Sequence, residues 1–180
     1  MKIKILIAGF VSAILSACST NYPPLETVPE VDIERYMGTW YEIARLPNRF
    51  EEGLECITAT YELRDDGEIT VINRGREVDD DYDLSEANGV AWLPDTNITS
   101  KLKVSFFWPF AGDYWILKLD ENYQHVLIGA PSREYMWILS RSTEMDKETY
   151  DQYIAVANAK GFDTSTLIKP KHDCPSLKKN

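Results

Sequence analysis

Histidine and cysteine are scarce in this chain, which has two histidines and three cysteines among 180 residues. His125 and His172 lie at no usable interval from each other or from a cysteine, so the ligand spacing of a zinc site is missing. The motifs of common catalytic sites are missing too, since there is no Gly-x-Ser-x-Gly, no His-Glu-x-x-His and no phosphate-binding glycine loop. We therefore expect no metal, no cofactor and no enzymatic activity.

Positive charge is also limited. The chain has 19 Lys and Arg against 29 Asp and Glu, which gives a net charge of -10 at pH 7. Binding to a nucleic-acid backbone depends on clustered basic residues that displace counterions, and no basic stripe is present. We therefore expect no nucleic-acid partner. The same charge argues against attachment to anionic lipid by electrostatics alone.

The apolar run near the N-terminus, Ile5 to Leu15, is too short to cross a bilayer comfortably as a helix. It follows Lys2 and Lys4 and ends at small residues, which is the pattern of a signal peptide. We predict that residues 1–17 are such a targeting segment and take no part in the fold.

Cys18 indicates which kind of signal peptide this is. An ordinary secretory cleavage site also ends in small residues, but Leu15-Ser16-Ala17-Cys18 resembles the lipobox of bacterial lipoproteins. The resemblance implies that Cys18 is acylated, becomes the new N-terminus and anchors the protein in the cell outer membrane, facing the periplasm. Ser19 resembles the default outer-membrane signal, whereas Asp at that position would resemble inner-membrane retention. Two or three acyl chains give stable anchoring.

Residues 18–30 are predicted to form a tether between the anchor and the folded domain. The segment contains Pro23, Pro24 and Pro29 and few apolar residues. It is therefore expected to be stiff and extended, at about 3 Å per residue, and to hold the domain roughly 30 Å from the bilayer.

From Gly38 onward, short β-runs alternate with turn residues, and the ten Tyr and five Trp favour strands. Asp65-Asp66-Gly67 predicts a hairpin turn, because glycine accepts the positive φ needed there. Eight strands at this spacing indicate either a β-sandwich or a β-barrel. The predicted strands lie near residues 39–46, 55–64, 68–75, 84–93, 101–107, 113–119, 125–130 and 134–141.

One amphipathic helix is predicted after the strands. Tyr150, Tyr153, Ile154 and Ala157 fall at helical spacing and make a single apolar stripe. Thr143 or Asp146 can cap its start, and Gly161 ends it. A lone helix of this kind must pack on the outside of the sheet. A short turn, Asp32 to Met37, precedes the first strand.

Two motifs about a hundred residues apart identify the chain as similar to the lipocalin family. The run from Gly38 to Arg45, with Gly38-Thr39-Trp40 at its start, resembles the first lipocalin motif in its bacterial and apolipoprotein-D-like form. The run from Tyr135 to Arg141 resembles the third motif. The second motif is imperfect, with Leu119-Asp120-Glu121-Asn122-Tyr123 in place of the usual Thr-Asp-Tyr.

The resemblance implies an all-β fold, an eight-stranded antiparallel up-and-down β-barrel with one C-terminal α-helix packed on its outside. The lipocalin domain would cover residues 31–175, followed by a tail at 176–180. In this family the tryptophan that corresponds to Trp40 plugs the closed end of the barrel, and Arg141 lies across its ring in a cation–π contact. Because strand one starts at the closed end, the tether would leave there, away from the open mouth, unless it wraps back around the barrel.

Cys56 and Cys174 are expected to form a disulfide. The signal sends the chain to an oxidising compartment, where a distant pair is more often a bridge than two free thiols, although the unpaired alternative stays open. The pairing also resembles the bridge of the apolipoprotein-D-like branch. It would pin the C-terminal segment to the start of the second strand.

The alternation of side chains along each strand predicts which residues face the barrel interior. Placing Trp40 inside puts Glu42 and Ala44 on the same face, and a buried Glu42 should be hydrogen-bonded. On the sixth strand, Tyr114 is preferred over the equally apolar Trp115. The residues expected to bind a ligand are Ala59, Tyr61, Asn73, Ala91, Leu102, Val104, Phe106, Tyr114, Ile128, Tyr135 and Trp137.

An apolar cavity of this kind suits a fatty acid or a lysophospholipid, held by a lipid-binding lipoprotein that stores or transports it in membrane biogenesis or maintenance. The alternatives are a structural lipoprotein whose barrel is filled by its own side chains, and a lipid-converting lipocalin enzyme that would need a free thiol inside. The loop Phe106-Phe107-Trp108-Pro109-Phe110 is expected either to cover the mouth or touch lipid, or to pack on neighbouring loops. We expect a monomer or a weak homodimer.

Overall fold

The computed structural model of the protein describes residues 22–175. Within this range eight antiparallel strands pair in chain order, and the last strand pairs back onto the first, so the sheet closes into a barrel. The predicted all-β up-and-down barrel is therefore confirmed, and the sandwich alternative is excluded. The strands are β1 (Gly38–Arg45), β2 (Leu54–Leu63), β3 (Ile69–Glu77), β4 (Asp83–Trp92), β5 (Lys101–Phe107), β6 (Phe110–Leu119), β7 (His125–Gly129) and β8 (Met136–Ser140).

The up-and-down order gives the barrel two distinct ends. The closed end holds the start of β1 and the short helix α1 (Ile33–Tyr36), which Asp32 caps by accepting a hydrogen bond from the backbone N–H of Arg35. The open end carries the connections after β1, β3, β5 and β7. These connections are residues 46–53, 78–82, 108–109 and 130–135.

Arg141 and Trp40 seal the closed end. Trp40 is fully buried, and the guanidinium carbon of Arg141 lies 3.8 Å from the centroid of its ring. Arg141 also donates hydrogen bonds to the carbonyl oxygens of Tyr36, Met37 and Thr39. The contact that the first and third motifs imply is therefore present. A partly desolvated cation–π pair of this kind contributes about 1 kcal/mol.

The turn at which the second motif departs from the family pattern is well formed. The Asp120 carboxylate accepts hydrogen bonds from the backbone N–H groups of Asn122 (3.1 Å) and Gln124 (2.8 Å). Tyr123 adopts a φ of 58° there. The Asp120 side chain thus satisfies backbone N–H groups of the turn, although the residues around it differ from the usual second motif.

Helix α2 (Lys147–Ala159) packs on the outside of the barrel, as predicted. Asp146 caps it by accepting from the backbone N–H of Thr149, and Gly161 follows its end with a φ of 87°. Tyr153 and Ala157 are buried from its apolar stripe. They join an outer cluster with residues of β6, β7 and β8, namely Leu117, Leu127, Met136 and Ile138.

A β-bulge in β1 changes which of its residues face the interior. The register with β8 shifts between Glu42 and Ala44. Ala44 therefore belongs to the outer cluster under α2, and the prediction that it shares the inward face of Trp40 is wrong. The next residue, Arg45, is buried and bonds to Glu42. An extra residue in one strand is the physical reason, because it reverses the alternation beyond it.

The N-terminal segment lies along the outside of the barrel. Leu25 is buried in the outer cluster, the N–H of Val28 donates to the carbonyl oxygen of Ile116, and the hydroxyls of Thr27 and Ser100 are 2.9 Å apart. Residues 22–30 therefore pack against the barrel instead of holding it away from another surface. The part of the proposed tether before Tyr22 lies outside the described residues, as do residues 1–17, Cys18 and the tail at 176–180.

The C-terminal segment is fastened to β1 and β2. Cys56 and Cys174 form the expected disulfide. The N–H of Cys56 also donates to the carbonyl oxygen of Lys171, and Ile168 pairs with Arg45.

In the range 22–175, no helix is long and apolar enough to cross a membrane.

Candidate binding site inside the barrel

The half of the interior next to the closed end is filled by side chains. The inward residues there are buried and form one apolar cluster with Trp40 and Tyr36. Tyr114 and Ile116 point inward from β6, while Trp115 and Leu117 point outward, which confirms the predicted phase of that strand. The other buried members of the cluster are Val31, Tyr61, Ile69, Val71, Ala91, Leu102, Val126, Ile128 and Leu139.

Three tyrosine hydroxyls meet inside this filled half. The hydroxyl of Tyr114 is 2.7 Å from that of Tyr36 and 2.8 Å from that of Tyr61. Burial raises the pKa of all three phenols above the ordinary value. Each hydroxyl therefore stays protonated and satisfied at neutral pH. The group marks the polar end of an otherwise apolar interior.

The inward residues closer to the open end are only half-buried. They include Ala59, Asn73, Val104 and Trp137, all of which contact the cluster or pair within its strands. Their partial exposure distinguishes this part of the interior, the mouth half, from the filled half. The side-chain oxygen Oδ1 of Asn73 is buried and has no hydrogen-bond partner.

An acidic and basic cluster lies beside these half-buried residues. Arg45 Nη1 donates to Glu42 Oε1 at 2.7 Å, and Arg45 Nη2 donates to the backbone carbonyl of Glu51. The indole N–H of Trp137 donates to Glu51 Oε2 at 3.0 Å. Glu42 is thus buried and hydrogen-bonded, as expected. Burial and the nearby charge of Glu51 raise the pKa of Glu42 well above its ordinary value, although Arg45 opposes the shift.

Arg45 and Glu51 are inward polar residues that the sequence analysis missed. Strict alternation places Arg45 on the outer face, and only the bulge turns it inward. Glu51 belongs to the connection after β1, where strand periodicity gives no information. Glu51 Oε2 accepts hydrogen bonds from the nearby Asn48 at 2.6 Å and from Trp137, whose distance in sequence conceals the pairing.

Aromatic side chains line the rim of the open end. Phe106 lies over Gly89, where an added Cβ would come within 2.8 Å of the phenyl ring. Tyr135 stacks on Trp137 with a centroid distance of 6.1 Å, and Phe50 lies 6.0 Å from Tyr135. Tyr135 precedes β8 instead of belonging to it. Phe106 and Tyr135 therefore sit at the entrance and not in the depth of the barrel.

The loop between β5 and β6 leaves its rings in solvent. Phe107, Trp108 and Phe110 are 76%, 81% and 71% exposed. The alternative in which these rings pack on neighbouring loops is therefore wrong for these three. The structure gives no partner for them within residues 22–175.

The residues expected to bind a ligand are thus brought together on one inner surface, but at different depths. The closed half contains Tyr61, Ala91, Leu102 and Ile128, with Tyr114 at its border. The mouth half and rim contain Ala59, Asn73, Val104, Phe106, Tyr135 and Trp137. The arrangement can admit an elongated apolar molecule from the open end and offer it polar contacts near the entrance.

Comparison with known proteins identifies the family. Residues 31–172 match the lipocalin-like domain. The outer membrane lipoprotein Blc of Citrobacter freundii is 44% identical over 171 residues, which covers 93% of this chain and 96% of that protein. Apolipoprotein D of Macaca fascicularis is 32% identical over 171 residues, covering 91% of this chain and 87% of that one.

A solved structure supports the same fold at lower identity. Insecticyanin from the tobacco hornworm Manduca sexta superposes with a TM-score of 0.67 and 23% identity, covering 83% of this chain and 85% of that one. The domain match and the first relative each extend over most of the sequence. The chain therefore belongs to the lipocalin family, among its outer membrane lipoproteins.

Proposed function

We propose that the protein binds one single-chain lipid, a fatty acid or a lysophospholipid, in the mouth half of its barrel and stores or transports it at the outer membrane. The observation that carries this proposal is a set of half-buried side chains on the inner face of a closed barrel in which most inward residues are buried. The half-buried residues are Ala59, Asn73, Val104 and Trp137. Such a site would hold an acyl chain beside these side chains, with its other end toward the mouth.

The walls of the mouth half favour hydrocarbon. Val104, Ala59 and Phe106 offer apolar surface, and the small side chain of Ala59 leaves width for an acyl chain. Each methylene removed from water contributes about 0.8 kcal/mol, so about ten methylenes contribute on the order of 8 kcal/mol before the costs of association. A dissociation constant of 1 μM corresponds to about 8 kcal/mol, so a longer chain or headgroup contacts must offset the costs of association for binding to reach that range.

Polar groups near the entrance can orient a headgroup. The unpaired Oδ1 of Asn73 needs a donor, which the hydroxyl of a lysophospholipid or of a protonated fatty acid supplies. The Nε of Arg45 is buried without a hydrogen bond and lies 3.6 Å from Glu51. These two groups support a ligand that has both a polar end and a chain.

Binding is favoured over thiol-based catalysis because the described residues hold no free thiol. Within residues 22–175, both cysteine thiols are consumed by the Cys56–Cys174 disulfide. A lipid-converting lipocalin that works through a barrel thiol has no such group there. Acylation of Cys18 remains part of the proposal, and so does the expected monomer or weak homodimer.

Solvent extraction tests the proposal. The protein is purified from its own cells, extracted with organic solvent and analysed by mass spectrometry, and a bound fatty acid or lysophospholipid is the expected result. The structural alternative draws support from the tightly filled closed half, where Trp40, Ile116 and Val126 are completely buried. Absence of lipid, together with no displacement of a fluorescent fatty acid, would establish that alternative and reject the carrier.

Trp137→Ala tests the location of the site. Trp137 is one of the half-buried inward side chains, so the variant is expected to weaken fatty-acid affinity roughly tenfold or more, which equals about 1.4 kcal/mol. Trp115→Ala is the matched control, because Trp115 lies on the outer face of the same barrel beside Lys101. Equal affinities for the two variants would remove Trp137 from the site.

A further inference from the structure

The open end carries a concentrated apolar surface, which we call the aromatic rim. It consists of Phe50, Phe106, Phe107, Trp108 and Phe110, all of them exposed and all on connections or strand ends at the mouth. A concentration of exposed apolar side chains at one end of a protein marks a contact surface more often than scattered ones do. The proposed ligand lies inside the barrel, where it meets Phe106, and it leaves Phe107, Trp108 and Phe110 uncovered.

The path of the N-terminal segment decides what the rim meets. Near the closed end, the N–H of Val31 donates to the Oγ1 of Thr99, in the connection between β4 and β5. Toward its start, the segment reaches the opposite end, where Arg133 donates to the carbonyl oxygen of Pro23. The guanidinium of Arg133 also lies 5.1 Å from the ring centroid of Tyr22.

Arg133 belongs to the connection between β7 and β8 at the open end, so the chain leaves the barrel there. The segment thus wraps back from the closed end, which removes the expectation that it exits away from the mouth. Cys18 precedes Tyr22 by four residues in the sequence. Four residues reach at most about 14 Å even when fully extended, so the proposed acyl anchor must lie near the open end.

We propose that the aromatic rim inserts into the bilayer that carries the acyl anchor, so that the barrel opens directly onto its own membrane. This inference rests on the proposed acylation of Cys18, but not on the identity of the ligand. Tryptophan and phenylalanine favour the boundary between headgroups and chains, which is where a surface-docked rim would place them. A ligand then passes between leaflet and barrel without crossing water.

Charge around the mouth determines the kind of lipid surface that fits. The connection between β3 and β4, at the same end, presents the exposed acids Asp79, Asp80 and Asp81. The other open-end connections expose Glu52 and Glu134 against one basic side chain, Arg49, so acids prevail around the mouth. These acids are repelled by anionic headgroups, whereas the rim requires only an apolar layer. The rim therefore docks on zwitterionic lipid, with the β5–β6 side inserted and the acidic connection held in water.

Fluorescence quenching from within the membrane tests the docking. The acylated protein is reconstituted into phosphatidylcholine vesicles whose chains carry bromine, which quenches tryptophans that enter the bilayer. We expect wild-type emission to be quenched and Trp108→Phe to lose at least about half of the quenched component, because the phenyl ring preserves docking without the reporter. Trp92→Phe is the matched control, since Trp92 ends β4 toward the closed end and should remain outside the bilayer.

The possible results separate docking from the anchor and from self-association. Mass spectrometry of the same preparation reports the acyl chains on Cys18, and their absence would overturn both the anchor and the docking. Acylated protein whose quenching is the same in wild type and Trp108→Phe would overturn the docking alone. A wild-type protein that is not quenched and that forms a dimer, together with a Phe107→Ser variant that does not, would overturn the docking. The aromatic rim would then contact a second copy of the chain. Replacing a third of the lipid with phosphatidylglycerol is expected to reduce the quenching at low salt.

Discussion

Glu42 is the acidic residue whose charge the fold accommodates with most difficulty. It lies inside the barrel between Arg45, which donates a hydrogen bond to it at 2.7 Å, and a second carboxylate, Glu51. The raised pKa of Glu42 means that the folded protein keeps this proton at pH values where the unfolded chain has lost it. Stability from this group is therefore complete below the unfolded pKa of about 4.3 and decreases as the pH rises toward the folded pKa.

Glu42→Gln should remove this pH dependence. The amide imitates the protonated acid and keeps an oxygen for Arg45, so the free energy of unfolding of the variant should rise relative to wild type as the pH increases above about 4.5. Urea unfolding of both proteins between about pH 4 and 8 measures the difference. A difference that stays constant, or that shrinks with rising pH, would show that Glu42 is stably ionised in the folded barrel.

For single residues, the sequence predicts on which face of the barrel a side chain lies better than it predicts which other side chain it contacts. The apolar stripe of α2 and the contact of Arg141 with Trp40 follow from periodicity and from the motifs. The choice between Thr143 and Asp146 as the cap, and between Tyr114 and Trp115 as the inward residue, is settled only by the structure. The inward position of Arg45 does not follow from periodicity or from the motifs, because it depends on a bulge that leaves no local signature. The cluster of Arg45, Glu51 and Trp137 arises only when distant segments meet.

Among the larger elements, the C-terminal segment depends most on a single bond. After α2 the chain runs back past β1 and is joined to β2 by the Cys56–Cys174 disulfide, across a sequence separation of 118 residues. Backbone hydrogen bonds of Ile168 and Lys171 follow the same path. The disulfide closes a long loop and so restricts the unfolded chain more than the folded one.

The double variant Cys56→Ser with Cys174→Ser is therefore expected to lose about 5 kcal/mol of unfolding free energy in the chain-entropy model. Urea unfolding, with reduced wild type as the matched comparison, measures this loss. The barrel should still fold, because its strand pairing does not involve the bridge. An unchanged midpoint would mean that the segment is held by its other contacts alone.

The composition of the N-terminal segment does not predict the path that the segment takes along the barrel. Three prolines and few apolar residues predict an extended spacer, and the segment is extended. It is attached to the barrel through Leu25 and Val31, two buried apolar residues. The surfaces against which they pack are formed by other elements of the fold. Nothing within the segment specifies that path, which is why its direction toward the open end could not be predicted.

For the whole molecule, closure of the sheet was implied by the family resemblance and not by periodicity, since eight short strands suit a sandwich equally well. The pairing of β8 with β1 decides it. The depth to which the interior is filled is a property of the closed barrel and of no single strand. Tyr36 from α1, Tyr61 from β2 and Tyr114 from β6 together fill part of the closed half. A list of inward residues therefore overstates how much of the interior is open.

The central claim is that this barrel has one internal site for a single-chain lipid, and a titration tests it most directly. Protein freed of lipid is titrated with a fluorescent fatty acid and then with lysophosphatidylethanolamine as competitor, at several protein concentrations. We expect saturation at one probe per chain, with complete displacement by the competitor and with dissociation constants near the micromolar range. Absence of saturable binding, or a probe that the competitor fails to displace, would contradict the account.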